Sequence, residues 1–150
     1  MNLLILISLI IIGVSSQIES NHGCKTNCNC PDFNGYITSD SDGYNYTKID
    51  GCSFQMECTD RPQLQLLWEG TEFSRPSDAG TDFFFTTFSR DGESLPPIDM
   101  FSLFGIICED GVWFATKYQT TRYFARGGEI GQIPSEEING KKAKINLALC

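Results

Sequence analysis

Seven cysteines constrain this chain most: Cys24, Cys28, Cys30, Cys52, Cys58, Cys108 and Cys150, all downstream of the opening MNLLILISLIIIGVSS. Leu3 to Ile12 is apolar apart from Ser8, and the small residues Gly13, Ser15 and Ser16 follow. Spanning a bilayer takes about 20 apolar residues, so the run fits the core of a secretory signal better than an anchor. Val14 and Ser16 then occupy the −3 and −1 positions of a cleavage after Ser16. No Lys or Arg precedes the run, so the α-amino group alone supplies the positive start. Residues 1–16 are read as a signal peptide and residues 17–150 as a single cysteine-rich domain. The expected location is extracellular, where cysteines form a disulfide framework. No later stretch is apolar for long enough to cross a membrane, and Lys141 to Cys150 lacks a lipid-anchor tail.

Three bridges leave one thiol over, available to a buried site or to a link with another chain, hence the expectation of a disulfide-linked dimer or matrix component. Between Cys52 and Cys58 the residues alternate, with Phe54 and Met56 on the cysteine side and Ser53, Gln55 and Glu57 opposite. That is a half-buried strand. Six strand steps cover about 20 Å, whereas bridged Cα atoms lie about 5.5 Å apart, so Cys52 and Cys58 do not pair with each other. Cys58–Cys108 is the first expectation for an inter-sheet bridge. The spacing Cys24-x3-Cys28-x-Cys30 lacks a second ligand pair, and His22 is the sole imidazole, so no metal and no cofactor is expected.

Downstream, turn signals alternate with short runs. Candidate strands are Tyr44–Ile49, Cys52–Cys58, Gln63–Trp68, Asp82–Phe88, Phe101–Cys108, Val112–Tyr118, Arg122–Ala125 and Ala143–Leu149. Helical periodicity of useful length is missing. The pattern predicts an all-β fold, a disulfide-stapled β-sandwich of short antiparallel strands. Asp110-Gly111 predicts a two-residue hairpin turn with positive φ at both positions, setting Cys108 opposite Trp113. The same count around Asp50-Gly51 sets Asn45 opposite Met56, an awkward place for the only glycosylation sequon, Asn45-Tyr46-Thr47. Either that loop exceeds two residues or Asn45 lies beyond the paired region. The second is expected, with Asn45 the candidate glycosylation site.

Phe83, Phe84 and Phe85 cannot all face one core, because side chains alternate along a strand. A central strand buried on both faces accounts for them, and so does an exposed aromatic patch for a partner. Any binding face is assigned to these three residues and the neighbouring loops. Nineteen acidic against eleven basic residues give a net charge of −8, which disfavours nucleic acid and anionic membrane as partners. Catalytic triads lack an imidazole beyond His22. Paired carboxylates remain conceivable for glycoside hydrolysis, with Asp60, Glu69, Asp110 and Glu129 as candidates that distance alone can sort. Asp40-Ser-Asp42-Gly43 has its glycine misplaced for a calcium loop. Lys141-Lys142-Ala-Lys144 reads as a solvated, salt-paired hairpin edge.

Trp68 lies between Cys58 and Cys108 with a spacing similar to immunoglobulin domains, but Ile106 stands where their tyrosine corner would be. Asp50-Gly51-Cys52 followed by Cys58, then Cys108-Glu-Asp-Gly-Val-Trp113, then the terminal Cys150, resembles the secreted six-cysteine domains of unknown function found in nematodes. The resemblance spans Cys24 to Cys150. It implies an extracellular disulfide-bonded module and carries no activity. The chain departs from it in its third N-terminal cysteine and in the long Phe114–Leu149 stretch, which suggests an inserted hairpin. The expected function is a secreted, non-catalytic module binding an extracellular protein or glycan. The alternative is a small secreted glycan-active hydrolase.

Overall fold

The computed structural model describes residues 29–38, 43–50, 52–59, 61–88 and 96–150. The signal-peptide reading, Cys24, Cys28, His22, Asp40, Asp42 and Asp60 lie outside the described residues. Among the described residues, ten strands form two antiparallel sheets. The smaller sheet has the order β1 (Tyr44–Asp50), β2 (Ser53–Cys58), β5 (Ile98–Asp99). The larger contains β3 (Gln63–Leu67), β4 (Ala79–Thr87), β6 (Ile107–Glu109), β7 (Val112–Ala115), β8 (Thr120–Ala125), β9 (Ile130–Ile133) and β10 (Ala143–Leu149). Its order across the sheet is β6-β7-β10-β3-β4-β8-β9.

The inner face of the larger sheet carries the core. Leu64, Leu66, Phe84, Trp113, Ala115 and Ile145 are buried there, one from every second position. Over one half sit β2, the short helix α1 (Met100–Phe104) and a 3-10 turn at Phe33–Tyr36. Phe33 and Phe101 pack 4.8 Å apart, and Phe54 and Phe33 meet Trp113 edge-on at 5.6 and 5.4 Å. Over the other half the loop after β3 brings Phe73 against Trp68, Phe84 and Tyr118. The helix α2 (Ser135–Ile138) adds Ile138. Edge-to-face aromatic contacts thus close both halves.

Local chemistry explains most elements and one departure. Asp110 and Gly111 take φ of 50° and 82°, and the hairpin register is Glu109↔Val112, Cys108↔Trp113, Ile107↔Phe114, as the turn predicts. The expected strand over Phe101–Cys108 is instead helix for its first turn. Asp99 caps it, its carboxylate accepting from the Phe101 and Ser102 N–H groups, and Gly105 ends it at φ 55°. Met100, Phe101 and Phe104 then share a buried face at helical spacing, which alternation in four residues cannot distinguish from a strand. Strand β9 was not expected, because Gly131 interrupts its pattern. The β8–β9 hairpin lies within the long stretch before Cys150.

The disulfides correct one expectation. Cys58 bonds Cys150, not Cys108, while Cys108 bonds Cys30. Cys58 lies in β2 of the smaller sheet and Cys150 directly follows β10, an interior strand of the larger. The Cys58–Cys150 bridge therefore joins the sheets, whereas Cys108 sits on edge strand β6 and ties down the incoming chain. Trp113 does lie opposite Cys108, and its indole N–H donates to the Pro31 carbonyl at 2.8 Å beside Cys30. Cys52 is disulfide-bonded as well.

Asn45 also departs from expectation. It lies inside β1, opposite Glu57, and not beyond the paired region. A register shift between Lys48 and Asp50 moves Tyr46 opposite Met56 and leaves Asn45 on the exposed side. The irregularity falls at Ile49, which is 61% exposed. An extra residue in one strand reverses which side its distal residues face, so this bulge resolves the conflict between sequon and core.

Candidate binding face

The far side of the larger sheet has no described layer over it. Antiparallel pairing aligns its residues in rows across β3, β4, β8 and β9. One row runs Gln65, Phe85, Arg122, Gln132 by successive register pairs. The next holds Leu67 opposite Phe83 and Phe124 opposite Ile130, with the Phe83 and Phe124 rings 6.4 Å apart. Phe124 is 42% exposed and Ile130 63%. An apolar row four strands wide, open along one end, is the kind of contiguous patch that marks an interaction surface. Cross-strand neighbours on one face stand about 4.5–5.5 Å apart, which is why the aromatics gather without help from a loop.

Of the three phenylalanines assigned from sequence, the structure brings Phe83 and Phe85 to this face, 5.4 Å apart, and removes Phe84. Phe84 is fully buried and stacks on Trp68 at 4.2 Å. Period-two alternation forces that division. Sequence reasoning missed Leu67, Phe124 and Ile130. Alternation in the expected strand Arg122–Ala125 already aligned Phe124 with Arg122. Ile130 had no comparable signal, since its pairing with Phe124 is set by a hairpin whose second strand contains a glycine.

The ring geometry is specific. Interplanar angles among Phe83, Phe85 and Phe124 are 75°, 82° and 89°. No two of these rings are coplanar, so they offer alternating edges and faces and no flat platform.

Clefts also open elsewhere among the described residues, and two stand out. One, of about 400 Å³, lies between the smaller sheet, α1 and β6, with Phe54, Phe101, Trp113, Cys52 and Cys108 in its wall. Asp99 is the carboxylate lining it. Its oxygens already accept from the N–H groups of Met56, Phe101 and Ser102 and from the Ser102 hydroxyl at 2.6 Å. The other, about 300 Å³, lies between the Phe73 loop and α2, and Glu137 is its carboxylate. Glu69, Asp110 and Glu129 line neither. Among the described residues, no group of three His, Cys, Asp or Glu side chains could hold a metal ion.

The perturbed titratable groups tie loops to strands and stand outside the aromatic rows. Hydrogen bonds from the Tyr46 hydroxyl, at 2.6 Å, and the Asn34 N–H hold the Asp32 carboxyl below its ordinary range. Burial, aided by Asp32, pushes the Tyr46 phenol up. Lys142 is raised by Glu109 at 2.8 Å and then by Glu72 at 3.2 Å. Within the lysine cluster Lys142 is thus salt-paired, to residues distant in sequence and not to the adjacent Glu136 and Glu137.

The family described as TRA-1 regulated protein R03H10.4 matches residues 26–150, which covers both sheets and the aromatic face. The chain belongs to this family. Its description names a regulator and no activity. No curated protein matches the chain. No solved structure matches it either.

Proposed function

We propose that this family member is a secreted, non-catalytic extracellular module that binds another protein through the outer face of β3, β4, β8 and β9. The observation that carries the reading is the apolar row of Leu67, Phe83, Phe124 and Ile130 beside Phe85 on a sheet face with no described cover. The face combines aromatic and aliphatic side chains with Arg122, the residue types enriched at protein–protein interface cores, which favours a protein over a glycan. The apolar leader and the disulfides support export. Exposure of Asn45 on β1, away from the core and on the other sheet, supports glycosylation there without hindrance to the face. The satisfied oxygens of Asp99 weigh against acid–base work in the larger cleft.

The test is site-specific photocrosslinking. With benzoylphenylalanine at position 83 or 124, exposure to native extracellular fluid should give a discrete protein adduct, and the same probe at Glu57 should not. Adducts independent of position, or an affinity for glycans on an array that Phe124→Ser abolishes, would overturn the reading.

A further inference from the structure

Resting on that reading, we propose that the partner presents a carboxylate set within an apolar surface, and that Arg122 receives it. Arg122 projects from the middle of the face, paired in register with Phe85 on one side and Gln132 on the other. It is the charged member of the two rows and is exposed. Its guanidinium has no ion-pair or hydrogen-bond partner among the described residues. Elsewhere Arg75 is held by Asp82 at 2.9 Å, and Lys142 by Glu72 and Glu109. Neither row contains an acidic residue, in a protein with nineteen of them.

A partner that covers Phe83, Phe85 and Phe124 must also strip water from the guanidinium between them. A buried charge without a counter-charge is strongly unfavourable, so an apolar partner lacking an acceptor at this point is disfavoured. A planar guanidinium matches a carboxylate in two parallel hydrogen bonds, which a lysine or a neutral acceptor does not reproduce. Aromatic side chains with arginine are also the residues that dominate binding energy at interface centres. The overall charge of −8 opposes an acidic partner at long range, but screening within about 8 Å at physiological salt leaves the desolvated contact to decide. The occupant is therefore a protein segment with Asp or Glu flanked by large apolar residues.

The probe is a random dodecapeptide display library, selected on the secreted, oxidised protein. Enriched peptides should carry Asp or Glu beside aromatic or aliphatic residues. Their binding should fall at least tenfold with Arg122→Gln, recover only partly with Arg122→Lys, weaken with salt, and vanish with Phe124→Ser. Peptides lost with Phe124→Ser but indifferent to Arg122→Gln, or enriched without a carboxylate, would overturn this inference and leave the face intact. Peptides indifferent to both variants, or no enrichment, would count against the face itself. Circular dichroism of each variant, both at exposed positions, verifies the fold.

Discussion

Cys58 in β2 and Cys150 just after β10 form a covalent joint between the two sheets, with their Cα atoms 5.3 Å apart. The link closes a loop with a sequence separation of 92 residues. Replacing both cysteines by alanine should lower unfolding free energy by about 2–5 kcal/mol, read from guanidinium denaturation. A loss below about 1 kcal/mol would show that aromatic packing alone holds the sheets together.

Gly131 lies opposite Tyr123, and the phenol ring crosses the space a side chain would need. A Cβ at Gly131 would collide with that ring. The ring is held in place by its hydroxyl, which donates to Asp78 at 3.0 Å. Gly131→Ala should therefore destabilise the β8–β9 hairpin by about 1–3 kcal/mol. Gly131→Ala combined with Tyr123→Leu should lose less than the sum of the two single changes, measured as a double-mutant cycle.

Tyr118 anchors the β7–β8 connection from within, its hydroxyl 2.8 Å from both the Ala115 and the Lys141 carbonyls. Burial, with a smaller effect from Glu72, raises its ionisation above the ordinary phenol range. A raised phenol leaves full stability below the unfolded value near pH 10, and stability falls as pH rises beyond it. Alkaline unfolding followed by circular dichroism should begin above about pH 10. Tyr118→Phe should cost about 1 kcal/mol at neutral pH and make the alkaline decline shallower. An unchanged slope would place the alkaline sensitivity on other groups.

Asp99 joins three elements, accepting from Met56 of β2 while it caps α1. Asp99→Ala should cost about 1–2 kcal/mol of stability, and Asp99→Ser should recover part of it through the remaining cap. Thermal melts of the two variants provide the measurement. Equal losses would mean that the strand contact, and not the cap, carries the effect.

Most strands were legible because their signals are local. The Ala143–Leu149 strand and the Asp110-Gly111 hairpin follow from alternation and from the positive φ that Asp and Gly accept. The division of Phe83 and Phe85 from Phe84 is contained in the same alternation. The helix at Met100–Phe104 was not legible, since four residues satisfy either period until Asp99 is known to reach their N–H groups. Nor was the side on which Asn45 emerges, because it depends on one bulged residue, Ile49.

What the sequence by itself determined is therefore short in range: cysteines that cannot bridge to their strand neighbours, turns, and strands with two unlike sides. What only the tertiary structure decided is long in range. Cys58 found Cys150 in place of Cys108, and Arg122 and Phe124 came to lie beside Phe85 and Phe83, from strands more than thirty positions apart in the chain. Backbone dihedrals and side-chain alternation are properties of neighbouring residues and are written locally. Strand order depends on which faces pack best once the whole chain has collapsed, and no window of sequence contains that choice.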